Sequence, residues 1–328
     1  MQVVVVAWLM ALSVVIDNCL ASKSISTSTG ADDSTVVLVV GDVSPVIQTV
    51  SISGDSVVVD ANPNITQPKY TMFPTLITAN HRIYSIGGGT RAGTQDDGYS
   101  VEMLSDGHWT QQTSTNFYRN AAVAGYLPKS GVLYVCGCRF TDHNACPISC
   151  EFRHETSVVG PWTVRRMPPG YCAMWAQGVT YQNQIYMSGG LSCHVDTTNR
   201  LTSYNYDTDQ WIALAPMKHQ RQFHAMTVDG ASLVVCGGYG SDSTLLTSCE
   251  RYVVSSNTWH KLADMPQAIM LANLFATNDN RLVIFGGEKN VVKNQRIYIY
   301  ASDMWTALSN VTLGNDGDRP LGATVMHA

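Results

Sequence analysis

Cysteine offers this chain more chemistry than any other residue type, and its spacing is regular. There are nine cysteines, and Cys136 and Cys236 each end a short apolar run just before a glycine, in VLYVCG and LVVCG. Cys150 and Cys249 both lie in Ser-Cys-Glu, 14 and 13 residues further on. Two chemistries use cysteines in this way. Oxidised pairs form disulfides, which persist in extracellular compartments. Thiolates bind zinc, and His143, Cys146, Cys150 and His154 are spaced as four ligands could be. Disulfides account for the cysteines without the histidines, so neither a metal nor a cofactor is expected. There is no phosphate-binding loop and no nucleophile elbow.

The elements that position these cysteines repeat. An apolar run ending in glycine recurs at Gly87, Gly137, Gly189, Gly237 and Gly286, at intervals of 50, 52, 48 and 49 residues. A tryptophan follows each one, Trp109, Trp162, Trp211, Trp259 and Trp305, at offsets of 22, 25, 22, 22 and 19. Two markers keeping one period define a unit of short antiparallel strands that must stack on its neighbours to bury its faces. A degenerate copy lies upstream, where Gly41 ends VVLVVG. The linkers repeat as well: Pro216-Met217, Arg221 and His224-Ala225 precede one apolar run, and Met265-Pro266 begins the next copy.

This pattern resembles the kelch repeat, in which each copy is a four-stranded propeller blade. The resemblance covers residues 34–328 and is strongest to the kelch domains of BTB–kelch proteins, without their BTB and BACK segments. It implies an all-β, six-bladed propeller. Its blades are expected near 35–60 plus 319–328, 69–109, 118–162, 171–211, 221–259 and 268–305. The C-terminal strand, from Arg319, would join the N-terminal blade and close the ring, leaving no free sheet edge.

The second and third strands of a blade are antiparallel neighbours. Disulfides are therefore expected at Cys136–Cys150 and Cys236–Cys249, with Cys138–Cys146 and Cys172–Cys193 completing the set. The resemblance also implies a rim at which arginines ahead of the innermost strands hold acidic peptides. The matching positions carry Arg119, Arg221 and Arg319, with Tyr118, Tyr171 and His224 as further contacts. A guanidinium is a planar donor fork suited to a carboxylate. The same arginines could instead bond backbone carbonyls and hold the ring together. The tyrosines at 204, 206, 252, 298 and 300 are expected to pack.

Residues 1–21 read as a secretory signal peptide: an apolar, uncharged Val3–Ile16, then Cys19-Leu20-Ala21. That run is shorter than the roughly 20 residues of a membrane span. Residues 22–33 are a polar linker. Asn64 and Asn310 each begin a glycosylation sequon. A net charge of −5 argues against a general nucleic-acid partner. The expected function is a secreted, monomeric, non-enzymatic module that binds an acidic protein or peptide at the propeller rim. One alternative is an intracellular substrate receptor linked to ubiquitin-ligase adaptors, cytoplasmic if the leader is retained. The other is a secreted carbohydrate-active or copper propeller enzyme. For that, adjacent Tyr171-Cys172 and the Ser105–Trp109 turn are the only pointers, and no pair of catalytic carboxylates is found.

Overall fold

The computed structural model describes residues 12–13, 35–41, 47–53, 56–62, 66, 68–69, 74–80, 82–88, 97–137, 148–157, 160–277, 279–289, 292–293, 297–308 and 320–327. Within them the chain is an all-β propeller. In blade A, strands Thr75–Ala79, Arg82–Ile86, Val101–Ser105 and His108–Gln111 pair antiparallel in that order. Blades B (123–166), C (177–214), D (225–261) and E (270–307) repeat the arrangement. Five blades are thus described in full where six are expected. Thr35–Gly41, Ile47–Ser53 and Ser56–Asn62 form a separate sheet with Pro320–His327, and Leu12–Ser13 runs parallel to that last strand.

Burial explains the strand patterns. The second strands, such as Val132–Cys136 and Ser232–Cys236, are buried at every position. They lie between two strands of their own sheet, with a neighbouring blade on each face, and so read as continuous apolar runs. The outer strands, such as His108–Gln111 and Thr258–Lys261, are mostly exposed and polar, as an unpaired edge requires. The innermost strands of blades A to E stand side by side around the axis.

The cores lie between blades. Ile77 and Tyr84 of blade A meet Leu133, Val135 and Trp162 of blade B. Phe152 of blade B meets Tyr204 of blade C. Tyr186 of blade C meets Val235 and Tyr252 of blade D, and Val234 of blade D meets Ile284 and Tyr298 of blade E. The strand-three tyrosines at 204, 252, 298 and 300 are buried packing residues as expected, and Tyr206 packs partly buried beside them.

Both repeated sequence marks have structural reasons. Each tryptophan indole donates to a carbonyl of the linker that leads into its own blade: Trp109 to Thr66, Trp162 to Thr113, Trp211 to Arg166, Trp259 to Ala215 and Trp305 to Ala263, at 2.7–3.1 Å. The first and last strands of a repeat are thereby tied, each bond contributing about 1 kcal/mol. The glycines make room for backbone. A Cβ on Gly237 (φ 66°) would overlap the Ile269 carbonyl oxygen of the next linker. Gly238 donates its amide to that same oxygen at 2.8 Å.

Cys136 pairs with Cys150 and Cys236 with Cys249, in each case directly across the second and third strands, and Cys172 is bridged to Cys193. Cys138, Cys146, Arg319, Asn64 and Asn310 lie outside the described residues.

Two glycines separate steric from conformational cost. Gly237→Ala has both a positive φ and a backbone overlap, and is expected to lower stability by more than about 3 kcal/mol. Gly230→Ala also has a positive φ (58°), but nothing lies within 4 Å of its Cβ position, so about 1–2 kcal/mol is expected. Urea denaturation of both variants measures the difference, and equal losses would refute the overlap.

Candidate functional site

Arg119 and Arg221 enter their blades at equivalent places, four residues before an inner strand, and both side chains are fully buried. In blade D, Arg221 Nη1 donates to the carbonyls of Gly237 (2.6 Å) and Ser248 (3.2 Å), and Nη2 donates to Glu250 (2.7 Å) and Ser248 Oγ. In blade B, Arg119 makes the same set with Gly137, Ser149 and Glu151. The two glutamates also accept backbone amides of the incoming linker, Lys218 and His219 at Glu250, Asn116 and Phe117 at Glu151. Glu102 in blade A accepts Lys69 N. These arginines therefore do not face a rim ligand, which corrects that expectation. The terminal guanidinium nitrogens of both donate to carbonyls, a serine hydroxyl and a carboxylate of their own blade, because a buried guanidinium must be paired. Arg119 Nε also reaches Glu151, while Arg221 Nε has no partner among the described residues.

Blade C carries no arginine here. Ala173 takes the equivalent place, and its carbonyl meets Gly137 of blade B. Tyr171, two residues earlier, is fully buried and donates its hydroxyl to Gly189 O at 2.9 Å, the carbonyl that an arginine satisfies in blades B and D. Its role is internal too. His224 is buried under the Gly189–Gly190 turn, its Nε2 2.8 Å from Ser188 Oγ. Burial, with the Arg221 charge, holds its pKa well below 6.5 and keeps it neutral. Of the proposed contacts among the described residues, only Tyr118 keeps partial exposure. It packs edge-on to Tyr99, with centroids 6.0 Å apart.

The same face carries residues the sequence reading passed over. Trp175 and Phe223 stack at 4.3 Å between centroids, both partly exposed, each two residues before an inner strand. Both hold positive φ, 56° and 55°. The Phe223 amide donates to Trp175 O and its carbonyl accepts from Leu271 N, linking blades C, D and E. Val195, also at positive φ, is 65 % exposed in the adjoining loop of blade C, and Phe117 is 37 % exposed beside Tyr118. A β-branched residue at positive φ is rare and costs energy. Blade C adds a small two-stranded sheet, Tyr171–Met174 with Leu191–Ser192. The available signal was Trp175 itself, a tryptophan after the leader that falls outside the repeat.

The channel between the inner strands holds a cavity of about 530 Å³ lined by Thr78, Tyr126, Thr180, Thr227 and Asp229 among others. Among the described lining residues, Asp229 is paired to Arg251.

Comparison with known proteins fits this geometry. Residues 220–266 match the Kelch motif family. Kelch-like protein 38 of Homo sapiens is 30% identical over 148 residues, 43% of this chain and 25% of that protein. The chain is a β-propeller that carries a kelch motif. Kelch-like protein 41a of Danio rerio is 31% identical over 100 residues, 30% of this chain and 16% of the relative. The kelch repeats thus match a quarter or less of the length of these two relatives. The solved "Structure of YjhT" superposes with a TM-score of 0.68 over 84% of this chain and 94% of that one, at 14% identity, a likeness of fold alone.

Removing one member of a buried ion pair strands the other. Arg221→Ala is expected to cost about 3–5 kcal/mol, read as a lower urea midpoint at pH 7. Burial pushes the Glu250 carboxyl up, but the Arg221 charge and two linker amides outweigh it and hold its pKa below 4.5. Its contribution is complete above pH 4.5 and is lost as the pH falls through the depressed folded value. Glu250→Gln should therefore flatten the acid limb of stability while lowering the neutral plateau. An unchanged acid limb would count against the pairing.

Proposed function

We propose that this chain is a secreted, six-bladed kelch propeller that binds a protein partner through the face formed by its inter-blade linkers and its second-to-third-strand loops. The observation that carries the reading is the Trp175–Phe223 stack beside exposed Val195, held by unfavourable backbone conformations and the Cys172–Cys193 bridge. Rigid aromatic anchors supply contact area at low entropic cost and dominate binding surfaces. Tyr118 and Phe117 extend the face to blade B. With Arg119 and Arg221 committed internally, the proposed anchor is apolar and aromatic rather than cationic.

Supporting six blades, Pro320–His327 pairs antiparallel with Thr35–Gly41, in one register from Thr35↔His327 to Val39↔Ala323 and, after a shift, at Gly41↔Pro320. It also lies against the inner strands of both blade E and blade A. Supporting secretion are the three cystines, which reducing compartments do not sustain.

Two experiments test the reading. A photo-crosslinking residue at Phe223 or Tyr118 should trap a discrete partner in the secreting cell's medium, while one at His260 on an outer strand should not. Trapping at His260 alone, or at all three alike, would remove the face from consideration. Intact mass of the expressed full chain should show a glycosylated product beginning near Ser22 in the medium. A cell-retained product that still begins at Met1 would replace secretion with the intracellular reading.

A further inference from the structure

The three cystines among the described residues are not equivalent. Cys136–Cys150 and Cys236–Cys249 lie within the strand ladders of blades B and D, each residue at most 1 % exposed. Both pairs belong to the main inter-blade cores. Cys172–Cys193 lies outside the four-stranded ladder of blade C. It ties the linker strand Tyr171–Met174 to the loop after Leu191–Ser192, and Cys193 is partly exposed. Its apolar surroundings are a satellite cluster of Cys172, Met174 and Leu191, with Trp175 and Cys193 packed against it.

We propose that Cys172–Cys193 is a site of reversible thiol–disulfide exchange that sets the geometry of the Trp175–Phe223 stack. Exchange requires a thiolate to reach a disulfide sulfur, and among these three bridges only the Cys193 side is open to it. The reductant is a dithiol. One of its thiolates attacks the Cys193 sulfur, the disulfide bond breaks, and the electron pair leaves on the Cys172 sulfur, which takes up a proton. The second dithiol thiolate then attacks its own sulfur in the mixed disulfide and expels Cys193 as a thiolate, which is protonated in turn. The dithiol becomes a cyclic disulfide, and the protein gains two electrons and two protons.

Hydrogen bonds also hold the loop. Ser192 Oγ accepts the His194 and Asp196 amides, and Cys193 N donates to Gly170 O at 3.4 Å. The first two bonds are internal to the loop and survive reduction. The short strand pair and one long hydrogen bond remain among the ties to the linker. Trp175 directly follows that linker strand, so opening the bridge removes one of the supports of the aromatic pair and lets its geometry shift, while the Phe223 N–Trp175 O bond remains and the blade cores stay closed. The inference stands apart from any particular binding partner.

The test uses the native full chain. Dithiothreitol is titrated without denaturant, thiols are trapped with iodoacetamide, and peptides are mapped. Cys172 and Cys193 should be alkylated at no more than a tenth of the reductant concentration needed for Cys136, Cys150, Cys236 and Cys249, with far-UV circular dichroism unchanged. Tryptophan emission should shift at that first step, and the shift should vanish in Trp175→Phe. Simultaneous alkylation of all six, or alkylation of Cys172 and Cys193 only once circular dichroism is lost, would overturn the proposal. An unaltered emission at the first step would overturn its second half, the control of the aromatic stack.

Discussion

A backbone carbonyl from each incoming linker occupies the space where a Cβ on a glycine of the preceding blade would be. Arg119 O presses on Gly87, Ala173 O on Gly137, Arg221 O on Gly189 and Ile269 O on Gly237. In three of these four places the next glycine supplies the amide that this carbonyl needs, Gly88, Gly190 and Gly238, at 2.8–2.9 Å. Neighbouring blades are therefore spaced by backbone, at a distance no side chain could permit, and a buried carbonyl is satisfied in the same contact. The apolar runs between blades can pack only because this spacing is fixed first.

Charge is used to the same end. A linker reaching into the propeller brings amides with no strand partner, and the Ser-Cys-Glu glutamates of blades B and D accept them. Each carboxylate then needs a cation, which Arg119 or Arg221 supplies while also bonding the carbonyls at the turn between second and third strands. Blade C solves the turn without charge. Thr202 takes the position of the glutamate, and the Tyr171 hydroxyl takes over the Gly189 carbonyl. Freed from the arginine pattern, blade C has room for its extra strand pair, its own bridge and Trp175.

How much of this could be read beforehand follows from which signals are periodic. Glycine and tryptophan recur because every blade needs them, so the propeller was legible, and the cross-strand cystines followed from the strand order. The arginines were located with two roles open to them, and for Arg119 and Arg221 the structure supports the bonding of carbonyls over the rim ligand. Sequence shows that Arg221 precedes an inner strand; it does not show that Glu250, 29 positions on, waits inside the blade to receive it. The aromatic face escaped because it consists of departures: a tryptophan off the repeat, a valine at positive φ, a two-stranded insertion. A method that looks for recurrence passes over such residues.

That the apolar clusters lie between blades has a consequence for how such a chain can change. No blade owns a core, so no blade is a unit that folds, melts or is lost by itself. Removing one would leave two unmatched greasy surfaces facing each other at the wrong angle, and splitting one would open both its neighbours. Lengthening or shortening is tolerable only in whole repeats or in the loops, so variation is channelled to the rim. Heritable novelty in this architecture should accumulate there, over an interior that permits almost none.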